Sequence, residues 1–428
     1  MGHSSLTMSP LHAPNRIDLI RPDAPALADY GAHAVGVCTR HWVHADQVDL
    51  VNARAGEPLP VKDRPLTCEI WYPAEPGQTV ADAGRYRVLG RDGRTPIDLH
   101  GRALRDVRPL ARSGGWPLVV VSHGFPGNRF LMSPLAENLA SKGFVVVAID
   151  HTDTTYDVEP HFASALRNRP LDVRWIMDQM TGPVQAGDAL LRGLVDDRHI
   201  GLMGYSMGGY GVLTLLGAGL SARAAQFPGV PPEGLAPLMQ GHAVHQSLWD
   251  PRIRAAVVFA PGGWNMGLWD AGSFLGIRTP LMIMAGSDDD IVGYAPGVRE
   301  IFEHTRHAER HLLTFENARH NVAAPMPAPR EAWTAVPWLP SVPAQHYTDP
   351  VWDNVRMNNI AQHFVSAFMG RHLQGDPGMD RYLQLVEHAR EGRWSVNEDG
   401  SPKSDHTHWA GFPARTALGL RMEHAAAI

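Results

Sequence analysis

A chain of 428 residues, 44% of them hydrophobic, is long enough to bury a large core, and its formal net charge of -6 leaves no basic stripe for nucleic acid or anionic lipid. No run of apolar residues is long enough to suggest a membrane span. The first eight residues lack the charged start and apolar core of a secretory signal, so a cytoplasmic location is expected.

Residues 1–29 form a Pro-rich arm without periodicity. Segments 34–43 and 66–72 read as opening antiparallel strands; they carry Cys38 and Cys68, expected as reduced packing residues. A Gly-, Arg- and Asp-rich insertion follows at about 75–115. Strands and helices then alternate: strand 117–122, a helix from Ser133-Pro134 to Gly143, strand 144–149, helix 171–181, strand 199–204 and an apolar helix from Tyr210. A second insertion at about 222–250 precedes strands 254–260 and 280–286, helix 295–306, strand 311–315 and a last helix at 352–373. This order predicts an α/β fold over residues 30–375, with a mostly parallel eight-stranded sheet and helices on both faces. The extension 376–428 shows a helix-like stretch at 379–390 and a short run at 416–422. Between them, Trp409 and Phe412 are expected to dock on the body, either ordering loops around a site or packing on a remote face.

The sharpest motif is Gly204-Tyr205-Ser206-Met207-Gly208, between the strand at 199–204 and the helix after it. Small residues two before and two after a serine let strand and helix backbones pass closely and hold its hydroxyl clear of the sheet, as in a nucleophile elbow. A serine hydroxyl needs a base to ionise it, and the base needs an orienting acid. His320, on the loop leaving the strand at 311–315, is the base candidate. The acid is sought among Asp288, Asp289 and Asp290, on the loop leaving strand 280–286, since only one of three adjacent carboxylates can orient one imidazole. Oxyanion donors are expected in the backbone amides of Met207, after the nucleophile, and Phe125, within His123-Gly124-Phe125-Pro126-Gly127.

Together Ser122-His123-Gly124-Phe125, the elbow, the loop from Gly286 to Val292 and Ala318-Arg319-His320-Asn321 resemble the α/β hydrolases of the dienelactone hydrolase-like and platelet-activating-factor acetylhydrolase-like group. The catalytic layout is also similar to that of cutinase-type polyester hydrolases. The resemblance runs over about residues 30–373, taking in Trp71-Tyr72-Pro73-Ala74 and Asp172-Val173-Arg174-Trp175, and its Gly-x-x-Asp-x-x-Val spacing selects Asp289 over Asp290. Two departures matter. Ser206 stands where dienelactone hydrolases carry cysteine, and the strand at 254–260 ends in Pro261-Gly262-Gly263 where animal acetylhydrolases place their acid.

The resemblance implies an α/β hydrolase fold and a serine hydrolase of carboxylic esters with a Ser206–His320–Asp289 triad. An amidase and a non-catalytic binding protein are the alternatives. Trp264, Met266, Trp269 and Phe274, on the loop after strand 254–260, are expected either to wall an apolar acyl pocket or to pack that loop on the body, with Trp333 and Trp338 as weaker candidates. His123 and the run Asp150-His151-Thr152-Asp153 are expected to brace loops. No organic cofactor and no metal are expected: His242-x-x-His245 lacks the glutamate of a zinc-protease helix, and Asn397-Glu398-Asp399-Gly400 lacks a calcium loop's alternating ligands. The expected partner is a small ester with an apolar acyl or aromatic group.

Overall fold

The computed structural model describes residues 14–428 apart from residue 55; the first part of the expected N-terminal arm lies outside the described residues. Strands β1 (Ala34–Val48) and β2 (Val61–Ala74) pair antiparallel, with a bulge between His44 and Gln47. The first insertion folds as a hairpin of β3 (Arg85–Leu89) and β4 (Pro96–His100), a small sheet of its own, followed by the two-residue β5 (Leu104–Arg105) on the free edge of β1. Parallel strands covered on both faces need apolar side chains throughout rather than an alternation. That is the character of β6 (Trp116–Ser122), β7 (Val145–Asp150) and β10 (Leu281–Gly286), and of β8 (Val195–Tyr205) and β9 (Ile253–Phe259) from Ile200 and Ala255 onward; β11 (Arg310–Phe315) is buried throughout although it carries Arg310, His311 and Thr314.

The main sheet runs β12-β11-β10-β9-β8-β6-β7-β2-β1-β5, where β12 is Leu420–Ala425. It has ten strands where eight were expected, because the first insertion contributes β5 and the C-terminal extension contributes β12, antiparallel to β11. The order reverses between β6 and β8, and at such a switch point the loops leaving two neighbouring strands diverge and open a crevice at their carboxyl ends. Phe125 follows β6 and Ser206 follows β8, so the crevice is theirs.

The helices are α1 (Ser133–Ser141), α2 (Phe162–Thr181), α3 (Pro183–Gly187), α4 (Met207–Leu215), α5 (Pro232–Leu235), α6 (Ala243–Leu248), α7 (Glu300–His304) and α8 (Asn354–Leu373). Helices α1 and α8 pack together on one face of the sheet, and α2 and α4 on the other. Helix α2 starts well before the expected residue 171, because Pro170 reads as a breaker yet lies inside it. The missing N–H would have served the Leu166 carbonyl, which instead accepts from the Tyr210 hydroxyl at 2.8 Å. The expected helix at 295–306 opens as a π turn, Tyr294–Arg299, before α7.

No helix forms across 379–390. Two short 3-10 turns, Pro377–Tyr382 and Ala389–Glu391, flank a segment whose backbone is drawn to β12: the Met422 N–H donates to the Glu387 carbonyl at 2.8 Å. Trp409 and Phe412 are buried against Phe364 of α8, with ring centroids 5.9 and 5.8 Å from it, and the Trp409 indole donates to the Val386 carbonyl. This is the remote packing, away from the crevice. Cys38 and Cys68 are both free and buried.

Candidate active site

Strand β8 ends at Tyr205 and α4 begins at Met207, so Ser206 alone turns the chain, at φ 52° and ψ -114°. A non-glycine residue there stores about 1–3 kcal/mol of strain. Three backbone hydrogen bonds hold it in place: the Ser206 N–H donates to Phe259 at 2.8 Å, while the Ser206 carbonyl accepts from Tyr210 at 3.0 Å and Gly262 at 3.2 Å. Only glycine fits beside it. A Cβ on Gly204 would lie 2.4 Å from the Gly208 carbonyl oxygen, and one on Gly208 would lie 2.0 Å from that of Ser122.

The imidazole of His320 bridges serine and acid. Its Nε2 is 2.9 Å from Ser206 Oγ and its Nδ1 is 2.9 Å from Asp289 Oδ2. The other oxygen of Asp289 accepts from the N–H groups of Ile291 and Val292, both at 2.9 Å. Burial pushes this carboxyl's pKa up, but the His320 bond and those two amides outweigh it and leave the pKa below the ordinary value. The neighbouring carboxylates go elsewhere: Asp288 is exposed, and Asp290 pairs with Arg319 at 3.0 Å. A Cβ on Gly286 would lie 2.1 Å from the Ala318 carbonyl oxygen, so the acid loop and the histidine loop meet only because that residue is glycine.

Among the described residues, the backbone N–H groups of Phe125 and Met207 donate to nothing. The loop that presents Phe125 is held from behind by a buried polar network. The Arg169 guanidinium donates to the carbonyls of His123 and Gly124, and the His123 ring donates from Nδ1 to Gly124 and accepts at Nε2 from the His151 N–H. Burial, then the charge of Arg169, depresses the His123 pKa and keeps that ring neutral. The run from Asp150 to Asp153 braces as expected: Asp150 holds Arg129, His151 bonds Ser122 and Asp172, Thr152 bonds Pro65, and Asp153 pairs with Lys62 and Arg64. Arg64, Arg169 and Asp172, far apart in the chain, carry this network without having been singled out for the site.

A cavity of about 610 Å³ opens on Ser206 and His320. Its walls are Phe125, Tyr205 and Ile291 from the sheet loops, the segment from Leu339 to Pro343 after the histidine loop, and Arg91 from the β3–β4 turn. The hairpin and that later segment clamp each other, since Trp338 donates to the Asp92 carbonyl at 2.9 Å beneath Arg94, and the Tyr347 hydroxyl accepts from the Arg91 N–H. Asn321, beside the histidine, accepts from the Tyr205 hydroxyl at 2.9 Å and donates to the Gln345 and Thr348 carbonyls, locking the same segment to the nucleophile strand.

None of the four expected wall residues lines this cavity. Trp269 and Phe274 are buried, and the Trp269 ring stacks on Tyr210 and meets Phe274 edge-on. Trp264 stacks on His304 and lies tilted against Phe274, and the Met266 methyl lies near Gly262, as does the Met207 sulfur. The loop after β9 is thus packed onto the body, and the segment beyond His320 takes the wall instead. Trp333 and Trp338 stay largely exposed outside the cavity, although Trp338 anchors the wall that follows it.

The fold is that of the α/β hydrolases. The chain shares it with a ferulic acid esterase from Streptomyces cinnamoneus, over 86% of this chain and 96% of that one, at a TM-score of 0.55 and 23% identity. Residues 100–180 match the family model of platelet-activating factor acetylhydrolase, isoform II, a span that includes β6, Phe125 and β7 and stops before Ser206. Cutinase 2 of Thermobifida cellulosilytica is 34% identical over 97 residues, 23% of this chain and 33% of that protein. A bis(hydroxyethyl) terephthalate hydrolase of Streptomyces coelicolor is 35% identical over 118 residues, 27% of this chain and 34% of that protein. The chain therefore matches about a third of the length of these curated relatives.

Proposed function

We propose that the protein is a serine hydrolase of carboxylic esters. The observation that carries this reading is the unbroken hydrogen-bonded line Ser206–His320–Asp289 at the floor of an open cavity, with two unengaged N–H groups beside the serine. Ser206 Oγ attacks the ester carbonyl while His320 Nε2 takes its proton. Asp289 fixes the tautomer through Nδ1 and stabilises the imidazolium that forms. The amides of Phe125 and Met207 stabilise the oxyanion, an effect of about 3–4 kcal/mol per donor in comparable sites. His320 then returns the proton to the departing alcohol, and water enters by the same route to release the acid from the acyl-enzyme.

The relatives support an ester substrate, since they include a ferulic acid esterase and a bis(hydroxyethyl) terephthalate hydrolase. The side chains of Phe125, Leu339 and Val342 suit an apolar acyl or aromatic group. The test is a panel of esters varying in acyl length and leaving group, assayed beside matched amides. The reading predicts turnover of esters well above that of amides. Faster cleavage of the amides would make the protein an amidase, and no cleavage of either would make it a binding protein on this scaffold.

A further inference from the structure

Strand pairing assembles a second cluster of reactive side chains that no local motif announces. In the antiparallel register of β11 and β12, His311 stands opposite His424, and Glu309 lies two residues before His311 on the same side of the chain. One ligand atom from each of the three lies within 4.8 Å of the others. The two imidazoles stack with centroids 4.4 Å apart, and His424 Nε2 is 3.3 Å from Glu309 Oε1.

His311 is the telling member. It is 2% exposed, and its Nδ1 has no hydrogen-bond partner among the described residues. Its neighbours on that face of β11, Leu313 and Phe315, are apolar, and Phe368 of α8 meets its ring edge-on at 5.9 Å. A buried ring nitrogen without a partner costs free energy that leucine at the same position would avoid. A cation held by the cluster would give the ring a use.

We propose that Glu309, His311 and His424 bind a divalent transition metal, zinc by the chemistry of the set, which clips β12 to β11. Two imidazoles and one carboxylate suit a borderline ion, whereas calcium and magnesium favour oxygen ligands throughout. Ligand atoms of a tetrahedral zinc site stand about 3.4 Å apart, so the partly exposed His424 and Glu309 close on His311 by side-chain rotation. The fourth position is left to water. The cluster sits at the start of β11 and His320 follows its end, so the metal takes no part in the ester chemistry.

The test uses the untagged full chain, stripped with chelator and titrated with zinc sulfate alone by calorimetry and thermal scanning. The proposal predicts one equivalent bound and a raised Tm. His424→Gln and Glu309→Gln should each weaken binding by more than the roughly 10–100-fold that outer-sphere changes cost, and abolish the rise in Tm, while ester turnover stays at the wild-type level. Binding well below one equivalent would overturn the site. So would a His424→Gln chain that binds zinc as the wild type does, since the ion would then sit elsewhere among the chain's 23 histidines.

Discussion

Ser122, His151 and Asp172 repeat the hydrogen-bond order of Ser206, His320 and Asp289. Ser122 Oγ is 2.8 Å from His151 Nε2, and His151 Nδ1 is 3.0 Å from Asp172 Oδ2. Distances of 2.9 Å join the members of the other line. Their surroundings differ in every other respect. Ser122 ends a strand in ordinary extended backbone and is fully buried, whereas Ser206 occupies a strained turn at a cavity floor. Asp172 is gripped by Arg64 through two bonds, at 2.9 and 3.2 Å, which outweigh burial and hold the carboxyl ionised. Burial and the nearby charge of Arg169 in turn keep His151 neutral. One line braces the loop that presents Phe125; the other opens on the cavity, where the proposed function puts the substrate. Bond order within a Ser–His–Asp line therefore says little about chemistry, and access, backbone strain and nearby oxyanion donors say much more.

Exchanging the two serines separates the lines most sharply. Ser206→Ala should lower kcat by about 10⁶-fold with the fold intact, whereas Ser122→Ala should leave turnover of the same order and cost about 1–3 kcal/mol of stability by stranding His151 Nε2. Steady-state kinetics beside denaturant melts reads both. Next in size, Asp289→Asn should cut kcat by about 10⁴-fold by freeing the wrong tautomer, with Asp288→Asn close to wild type; a crippled Asp290→Asn would move the acid by one residue.

The corresponding change in the buried line should act on stability. Asp172→Asn takes a carboxylate from Arg64 while Asp153 remains on it at 2.9 Å, so a loss of about 3 kcal/mol is expected, the low end for a broken buried pair. Turnover per folded molecule should stay of the wild-type order. A large fall in kcat at unchanged Tm would mean that the buried line takes part in the reaction.

A smaller effect tests whether buried rings elsewhere are held neutral in the same way. His363 accepts from the Leu27 N–H at 3.1 Å, and its burial, then the charge of Lys142, lowers its pKa from 6.5 to about 3. Between those values the unfolded chain binds a proton that the folded chain refuses. The contribution is thus whole above pH 6.5 and falls by about 1.4 kcal/mol per pH unit as the pH drops. Thermal melts from pH 7.5 to 4.5 should show the Tm of the wild type falling toward that of His363→Gln; a constant gap between the two would refute the shift.

The sequence made the parallel core legible because Leu118–Val121 of β6, Ala255–Phe259 of β9 and the whole of β10 are apolar runs, and it marked the Ser206 turn because Gly204 and Gly208 are needed where backbones touch. What it concealed depends on contacts between distant segments. The cavity wall comes from Leu339–Pro343 clamped to the β3–β4 turn, a meeting of two irregular loops without periodicity. The aromatic residues after β9 looked like a pocket because aromatic rings serve cores and ligand walls alike, and only the stacking of Trp269 on Tyr210 tells which. Similarly, β12 joins the sheet through a partner strand more than a hundred residues earlier, and the buried line joins Ser122 to a helix residue fifty positions on.

The central claim is that Ser206 and not Ser122 is the nucleophile. A fluorophosphonate reacts only with a serine that has a working base and an open approach, so labelling the native chain and locating the adduct by peptide mass spectrometry tests this directly. The account predicts one stoichiometric adduct, on Ser206, lost in His320→Ala and retained in Ser122→Ala. An adduct on Ser122, or a native chain that takes up no label, would contradict it.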